Sequence, residues 1–170
     1  MKIGIISDTH GYLDEVVFHY FAKCDEVWHA GDIGSVEIGK RLAAFKPLKA
    51  VYGNIDDHDV RMHYPLDQHF TCAGLHIWLT HIAGKPNAYS PRVQKIFQEK
   101  KPDVLVCGHT HILRVIRDAK YHPLLYLNPG AAGKYGIHTI RTLLRFEIKN
   151  QKLCNMEVIE LGSNTNHAIY

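Results

Sequence analysis

Short apolar runs in this chain keep stopping at a small residue that is followed at once by an aspartate, an asparagine or a histidine. Lys2 to Ile6 runs into Ser7-Asp8-Thr9-His10, Glu26 to His29 into Ala30-Gly31-Asp32, and Leu48 to Tyr52 into Gly53-Asn54. A later run closes at Thr80-His81, and Asp103 to Cys107 opens onto Gly108-His109-Thr110-His111. Runs this short and this rich in Val, Ile and Leu read as buried strands. Open α/β sheets bind ligands outside the carboxyl ends of their strands. The pattern therefore restricts the fold to sheets whose strand ends meet at one polar site. Glycines at these points let the backbone turn sharply and leave room for a ligand. His109 and His111 stand two residues apart, a spacing that puts both on the same side of an extended chain.

Helical spacing appears between the strands. Leu13, Val16, Val17, Tyr20 and Phe21 form one apolar stripe. Ser35 caps a second helix, which turns Ile38, Leu42 and Phe45 inward and stops at Pro47. Ser90-Pro91 opens a third helix and Pro102 closes it. His69 to Thr80 reads as a hairpin around Gly74. The rear of the chain is mostly strand: Leu113 to Ile116, Leu124 to Leu127, Thr142 to Ile148 and Leu153 to Ile159. Ile55 to Pro65 and Gly84 to Ser90 read as loops that would set specificity. Strand–helix alternation in front of a strand-rich half predicts two sheets in one α/β domain over residues 1–170, with helices outside.

The totals exclude several classes. A chain of 170 residues suits one domain with a hydrophobic core, and 46% hydrophobic with 22% charged residues is an ordinary globular balance. The formal net charge of +3 is dispersed, and its densest cluster, Lys100-Lys101, is only a pair. A nucleic-acid footprint is therefore not indicated. No run approaches the roughly 20 apolar residues of a membrane span, and the Met1 to Asp8 stretch is too short for a signal peptide. Cys24, Cys72, Cys107 and Cys154 lie far apart without a C-x-x-C, which reads as free thiols in a reducing compartment. The expected location is the cytoplasm, with no membrane partner and an oligomeric state that the sequence leaves open.

Taken in order, the strand-end pieces resemble a known family. "SDTHG" at residues 7–11, "HAGD" at 29–32, "GNIDD" at 53–57, "GHTH" at 108–111 and "NPG" at 128–130 are similar to the calcineurin-like metallophosphoesterases. The wording is closest to the small bacterial and archaeal branch that also contains the retromer subunit of vacuolar sorting. The resemblance runs from residue 3 to about residue 148. It implies a four-layer α-β-β-α sandwich of two mixed sheets, in agreement with the two-sheet reading. It also implies two divalent metal ions. Asp8, His10 and His111 match the family's ligands for the first metal, and Asp32 matches the carboxylate that bridges both. Asn54, His81 and His109 match the ligands of the second.

Phosphodiester hydrolysis needs a nucleophile and charge stabilisation at phosphorus, and two metals about 3.5–4 Å apart supply both, with a bridging hydroxide as the nucleophile. Imidazole and carboxylate without thiolate suit Mn²⁺, Fe²⁺, Zn²⁺ or Ni²⁺ and do not choose among the four; Mn²⁺ is the ion expected here. Asp32, Asn54 and His109 are the expected catalytic groups; Asn54, His58 and Lys134 are the candidates for meeting the substrate. Two divalent ions carry four positive charges. Asp8, Asp32 and one hydroxide remove three of them, and the remaining charge favours a small phosphodiester over a dianionic monoester. The alternatives are a phosphomonoesterase acting on a small molecule or a phosphoprotein, and a non-catalytic protein-binding scaffold.

Three departures from relatives stand in the sequence. Ile55 stands where some branches carry a histidine that protonates the leaving group, Ala131 where a serine usually follows "NPG", and Ile82-Ala83 where Gly-His is frequent. Gly130 to Lys134 looks a little like a phosphate loop, but it lacks the four-residue gap between glycines, and Tyr135 follows the lysine. His29 is expected to pack or hydrogen-bond behind the ligands. His19, His63, His69, His76, His122, His138 and His167 follow no pattern, and surface or core roles are the default for them.

Overall fold

Lys2–Ile6 forms β1, and its residues alternate between two apolar environments. Ile3 and Ile5 enter one buried cluster and Ile6 another. Gly4 lies flat against the Phe21 ring, where a Cβ would come within 2.7 Å. This alternation, the period-two signature of a strand buried on both faces, recurs through the molecule. The computed structural model describes residues 1–121 and 124–164; His122 and His167 lie outside the described residues. After β1 come α1 (Val16–Phe21), β2 (Glu26–His29), α2 (Val36–Phe45), β3 (Leu48–Ala50), α3 (His58–His63), β4 (Asp67–Cys72) and β5 (Leu75–Thr80). Then follow β6 (Gly84–Lys85), β7 (Ala88–Tyr89), α4 (Pro91–Lys100), β8 (Val104–Val106), β9 (Arg114–Arg117), β10 (Leu125–Asn128), β11 (Ile140–Lys149) and β12 (Lys152–Ser163).

The long strands make two mixed sheets. One has the order β12-β11-β1-β2-β3, in which β1, β2 and β3 are parallel and β11 runs against β1. The other has the order β4-β5-β8-β10-β9, in which β5, β8 and β10 are parallel and the two edges antiparallel. Ile3, Ile5, Trp28, Ile77, Leu79, Val104, Val106, Leu125, Leu127 and Phe146 fill the space between the sheets. Outside the first sheet, Val17 and Phe21 of α1 and Ile38 and Leu42 of α2 pack on Val27 and Leu143. Outside the second, Val93 and Phe97 of α4 pack on Trp78, Leu105 and Tyr126. The result is a single α/β domain of four layers, α-β-β-α, as expected. Each fully buried Leu, Ile or Phe contributes about 1.5–3 kcal/mol, which holds the strand ends in register.

Local chemistry explains the element ends. Ser35 and Ser90 cap α2 and α4 through Ile38 N and Val93 N. The β4–β5 hairpin turns at Ala73 and Gly74, with φ of 46° and 85°, the two positive values that a tight two-residue hairpin requires. The first helix is shorter than its apolar stripe. Asp14 Oδ1 accepts from Val16 N at 3.2 Å and starts the helix there, and Leu13 is buried ahead of it. Ile55 to Pro65 is not all loop: Asp57 Oδ1 accepts from Val60 N at 3.0 Å and caps α3, a helix too short for a periodic pattern. Within 84–90, β6 and β7 form a small hairpin. Cys24, Cys72, Cys107 and Cys154 are free thiols. Among the described residues no helix is long and apolar enough to cross a membrane.

Candidate metal centre

Among the described residues, β1, β2 and β3 of one sheet and β5 and β8 of the other end at the same edge of the sandwich. β1 delivers Asp8 and His10, β2 Asp32, β3 Asn54, β5 His81, and β8 His109 and His111. Just past the strand end, the chain must turn a polar side chain back toward the centre. Asp8, His10, Asp32, His109 and His111 do so with φ of 54°, 46°, 51°, 69° and 56°. Left-handed backbone outside glycine costs about 1–3 kcal/mol per residue and concentrates at functional sites. Five such residues in one patch are therefore held there by the surrounding structure.

Two clusters result. In one, His111 Nε2 lies 3.2 Å from both Asp8 Oδ1 and His10 Nε2. In the other, His81 Nε2 lies 3.2 Å from Asp32 Oδ1 and 3.1 Å from Asn54 Oδ1, and the His109 ring meets that of His81 edge-on at 5.3 Å. Within each of the sets Asp8–His10–His111 and Asp32–His81–His109, one ligand atom per residue lies within 4.8 Å of the others. Asp32 joins the clusters, because its Oδ2 is 3.6 Å from His10 Nε2.

The donor set fits cations. His81 Nδ1 donates to Ala30 O at 2.7 Å, which leaves Nε2 as a lone pair facing two further oxygen acceptors when the ring is neutral. Acceptors facing one another beside the buried Asp32 carboxylate call for a proton or a cation between them. Burial pulls the His81 pKa down, yet the hydrogen bond and charge of Asp32, with Asp8, outweigh it and the net shift is upward. Burial would raise Asp32, but His81 and the Ile55 N–H, 3.0 Å from Oδ1, hold it below its ordinary value. Burial lowers His10 and His109 and so favours their neutral, ligating forms.

A tier of buried groups aims these side chains. Both Asp8 oxygens accept from His109 N at 3.2 Å. His29 Nδ1 accepts from Gly31 N, and Nε2 lies 3.0 Å from Thr9 Oγ1, which donates to Ile33 O. Full burial pushes His29 down to about 4. Asn128 Nδ2 donates to Gly108 O at 2.8 Å and fixes the turn before His109. Asp56, the first aspartate of "GNIDD", accepts from Ile33, Gly34 and Gly53 N–H groups and so ties the Asp32 turn to the Asn54 turn. Spacing alone assigned Asp56 no role.

Other expected positions fall differently. His58 is exposed on the first turn of α3. The Lys134 ammonium sits 4.1 Å above the Tyr12 ring. Ala131 is fully buried, so the hydroxyl missing there belongs to the interior rather than the rim. Gly133 packs on the Thr9 and Asp8 carbonyls, where a Cβ would come within 2.3 Å, as part of the wall behind the site. His138, given no role from sequence, is buried beside His111 with its Nδ1 at 3.3 Å. No spacing rule connects positions 27 residues apart.

Two mixed sheets between helices, with carboxylates and imidazoles gathered at one strand-end edge, define a four-layer α/β sandwich with a candidate metal centre. The calcineurin-like phosphoesterase superfamily domain matches residues 1–151, and the chain belongs to that superfamily. A protein of Methanothermobacter thermautotrophicus named "Probable metallophosphoesterase" is 30% identical over 170 residues, covering 96% of this chain and 94% of its own. The crystal structure of Chaetomium thermophilum Vps29 shares the fold at 19% identity, with a TM-score of 0.71 over 95% of this chain and 97% of that one. Entamoeba histolytica Vps29 in complex with zinc matches at 18% identity and a TM-score of 0.67, over 94% and 99%.

Proposed function

We propose that this chain hydrolyses phosphodiesters using two divalent ions, the first held by Asp8, His10 and His111, the second by Asn54, His81 and His109, with Asp32 shared. The position of Asp32 carries the reading: one carboxylate oxygen faces His81 at 3.2 Å and the other faces His10 at 3.6 Å, so a single side chain serves both clusters. When bound, the ions supply positive charge to the phosphoryl oxygens and a hydroxide at neutral pH. The chain's own groups orient the ester. With Asn54 Oδ1 turned to the second cluster, its amide N–H groups remain to donate to a phosphoryl oxygen. His109, the exposed histidine of its cluster, borders the approach.

Beside Asn54 and His81 a cavity of about 320 Å³ is lined by Tyr52, Arg61, Leu66, Ile82 and Arg92. Tyr52, Leu66 and Ile82 give it apolar surface that suits the organic side of an ester, and Arg61 and Arg92 bring positive charge to the same walls. Ile55, exposed beside the centre, brings no proton donor, so the leaving group departs without one from that position. The charge balance of two ions against Asp8, Asp32 and hydroxide favours diester over monoester. The imidazole and carboxylate set suits Mn²⁺, Fe²⁺, Zn²⁺ or Ni²⁺, and Mn²⁺ is the ion for the test. The likeness to Vps29 raises a scaffold role, but a scaffold has no need of a full set of converging ligands. In the test, an aryl phosphodiester is hydrolysed with added Mn²⁺, faster than the matching monoester, and Asp32→Ala and His109→Ala abolish turnover. Full activity in either variant removes the mechanism; a monoester preference removes the diester assignment.

A further inference from the structure

His138 stands 8% exposed in the loop between β10 and β11, and both of its ring nitrogens are engaged. Nε2 lies 3.0 Å from Gly133 O, and a carbonyl can only accept, so Nε2 carries the hydrogen. In the neutral ring Nδ1 is then an acceptor, and it faces His111 Nδ1 at 3.3 Å. His111 Nδ1 must donate across that contact, which leaves His111 Nε2 unprotonated, toward Asp8 Oδ1 and His10 Nε2. The rings meet edge-on, with centroids 5.1 Å apart and planes at 77°.

The loop is shaped for this contact. Gly136 has a φ of 121°, and a Cβ there would come within 2.3 Å of His111 Nδ1 and 3.2 Å of His138 Nδ1. Asn164, just past β12, donates from Nδ2 to Gly136 O at 3.2 Å and to His138 O at 3.1 Å, and so fastens the loop from the far end of the described chain.

We infer that His138 is a positioning residue: the chain Gly133 O–His138–His111 sets the tautomer and aim of His111, so that its Nε2 is presented to the first metal. The inference rests on the two-ion reading above. Groups that hold a ligating histidine by its other nitrogen are worth about 10–100-fold in metal affinity. His81 is held by Ala30 O instead, so the effect belongs to one site and the second serves as internal control.

The experiment is calorimetric titration of the metal-stripped full chain with Mn²⁺. The wild type should show two binding events, one of them lost in His111→Ala. His138→Ala should weaken that same event by about 10–100-fold and leave the other within about threefold. Two further variants separate aiming from filling space. In His138→Asn the amide oxygen falls near the old Nδ1 and can accept from His111. In His138→Gln the amide reaches the old Nε2 position and keeps only the Gly133 contact. Asparagine should retain most of the affinity and glutamine should not; this pair decides the matter even where the alanine variant folds poorly. Equal affinities in wild type and glutamine variant, or equal losses in asparagine and alanine variants, overturn the inference. A wild type that takes up none of Mn²⁺, Zn²⁺ and Ni²⁺ overturns the two-ion reading itself; uptake of Zn²⁺ or Ni²⁺ alone moves the same comparison of variants to that ion.

Discussion

Replacing Asp56 removes the carboxylate that ties the ends of β2 and β3 together. Its Oδ2 accepts from Ile33 N at 3.1 Å and Gly53 N at 2.7 Å, and its Oδ1 from Gly34 N at 2.6 Å. The residue is 2% exposed, so water cannot freely take its place. Hydrogen bonds to a charged group are worth about 1.5–3 kcal/mol each, so three independent ones would total about 4.5–9 kcal/mol. They share one carboxylate, however, and deleting it also relieves the cost of burying its charge. The net loss for Asp56→Ala should be about 3–5 kcal/mol. With a urea slope of about 2 kcal/mol/M, the unfolding midpoint falls by about 1.5–2.5 M. Asp56→Asn is the sharper variant. Its single oxygen can serve only one side, while its NH₂ confronts N–H donors on the other, so it should cost nearly as much as alanine. Equilibrium urea unfolding of the wild type and both variants at neutral pH reads the effect. A loss below about 1 kcal/mol in Asp56→Ala, or an asparagine variant as stable as wild type, refutes the assigned role.

A Cβ at Gly53 would come within 2.0 Å of Asp32 Oδ1 and 2.4 Å of Asp32 N, so Gly53→Ala must displace the shared carboxylate. Mn²⁺ affinity should drop about tenfold or more, and unchanged titration curves would show that Asp32 does not ligate. At a hundred times its dissociation constant, Mn²⁺ should add about 2.7 kcal/mol to stability and raise Tm by roughly 5–10 °C; a scanning trace indifferent to both Mn²⁺ and chelator speaks against a manganese centre. Burial lowers His29 from 6.5 to about 4. Below about pH 6.5 the unfolded chain therefore takes up a proton that the folded chain refuses, so stability falls with pH down to about 4 and then levels, by up to about 3 kcal/mol. The difference between wild type and His29→Gln in urea-derived stability at pH 7 and pH 4.5 isolates this slope, and parallel curves would contradict it.

Much of this protein can be read without coordinates, for local reasons. Strands betray themselves by unbroken apolar runs such as Ile3 to Ile6, and α2 and α4 by the serines that cap them. The polar residues after those runs must lie at strand ends, because the backbone between is short and committed to the sheet. Asp8, Asp32 and His81 could thus be expected to share an edge, and the structure brings them to one. What needs three dimensions is contact between residues that no periodicity connects. α3 is a helix of six residues started by an aspartate cap, too brief to leave a stripe. Asp56 looks like a turn residue until the N–H groups around its carboxylate are seen to come from two strand ends, Ile33 and Gly34 after β2 and Gly53 after β3. His138 becomes intelligible only when the loop before β11 folds back to lay it against His111. Short-range sterics and burial write the strands and turns into the chain locally. The pairing of distant polar groups follows from how two sheets stack, and that is decided by packing over the whole core.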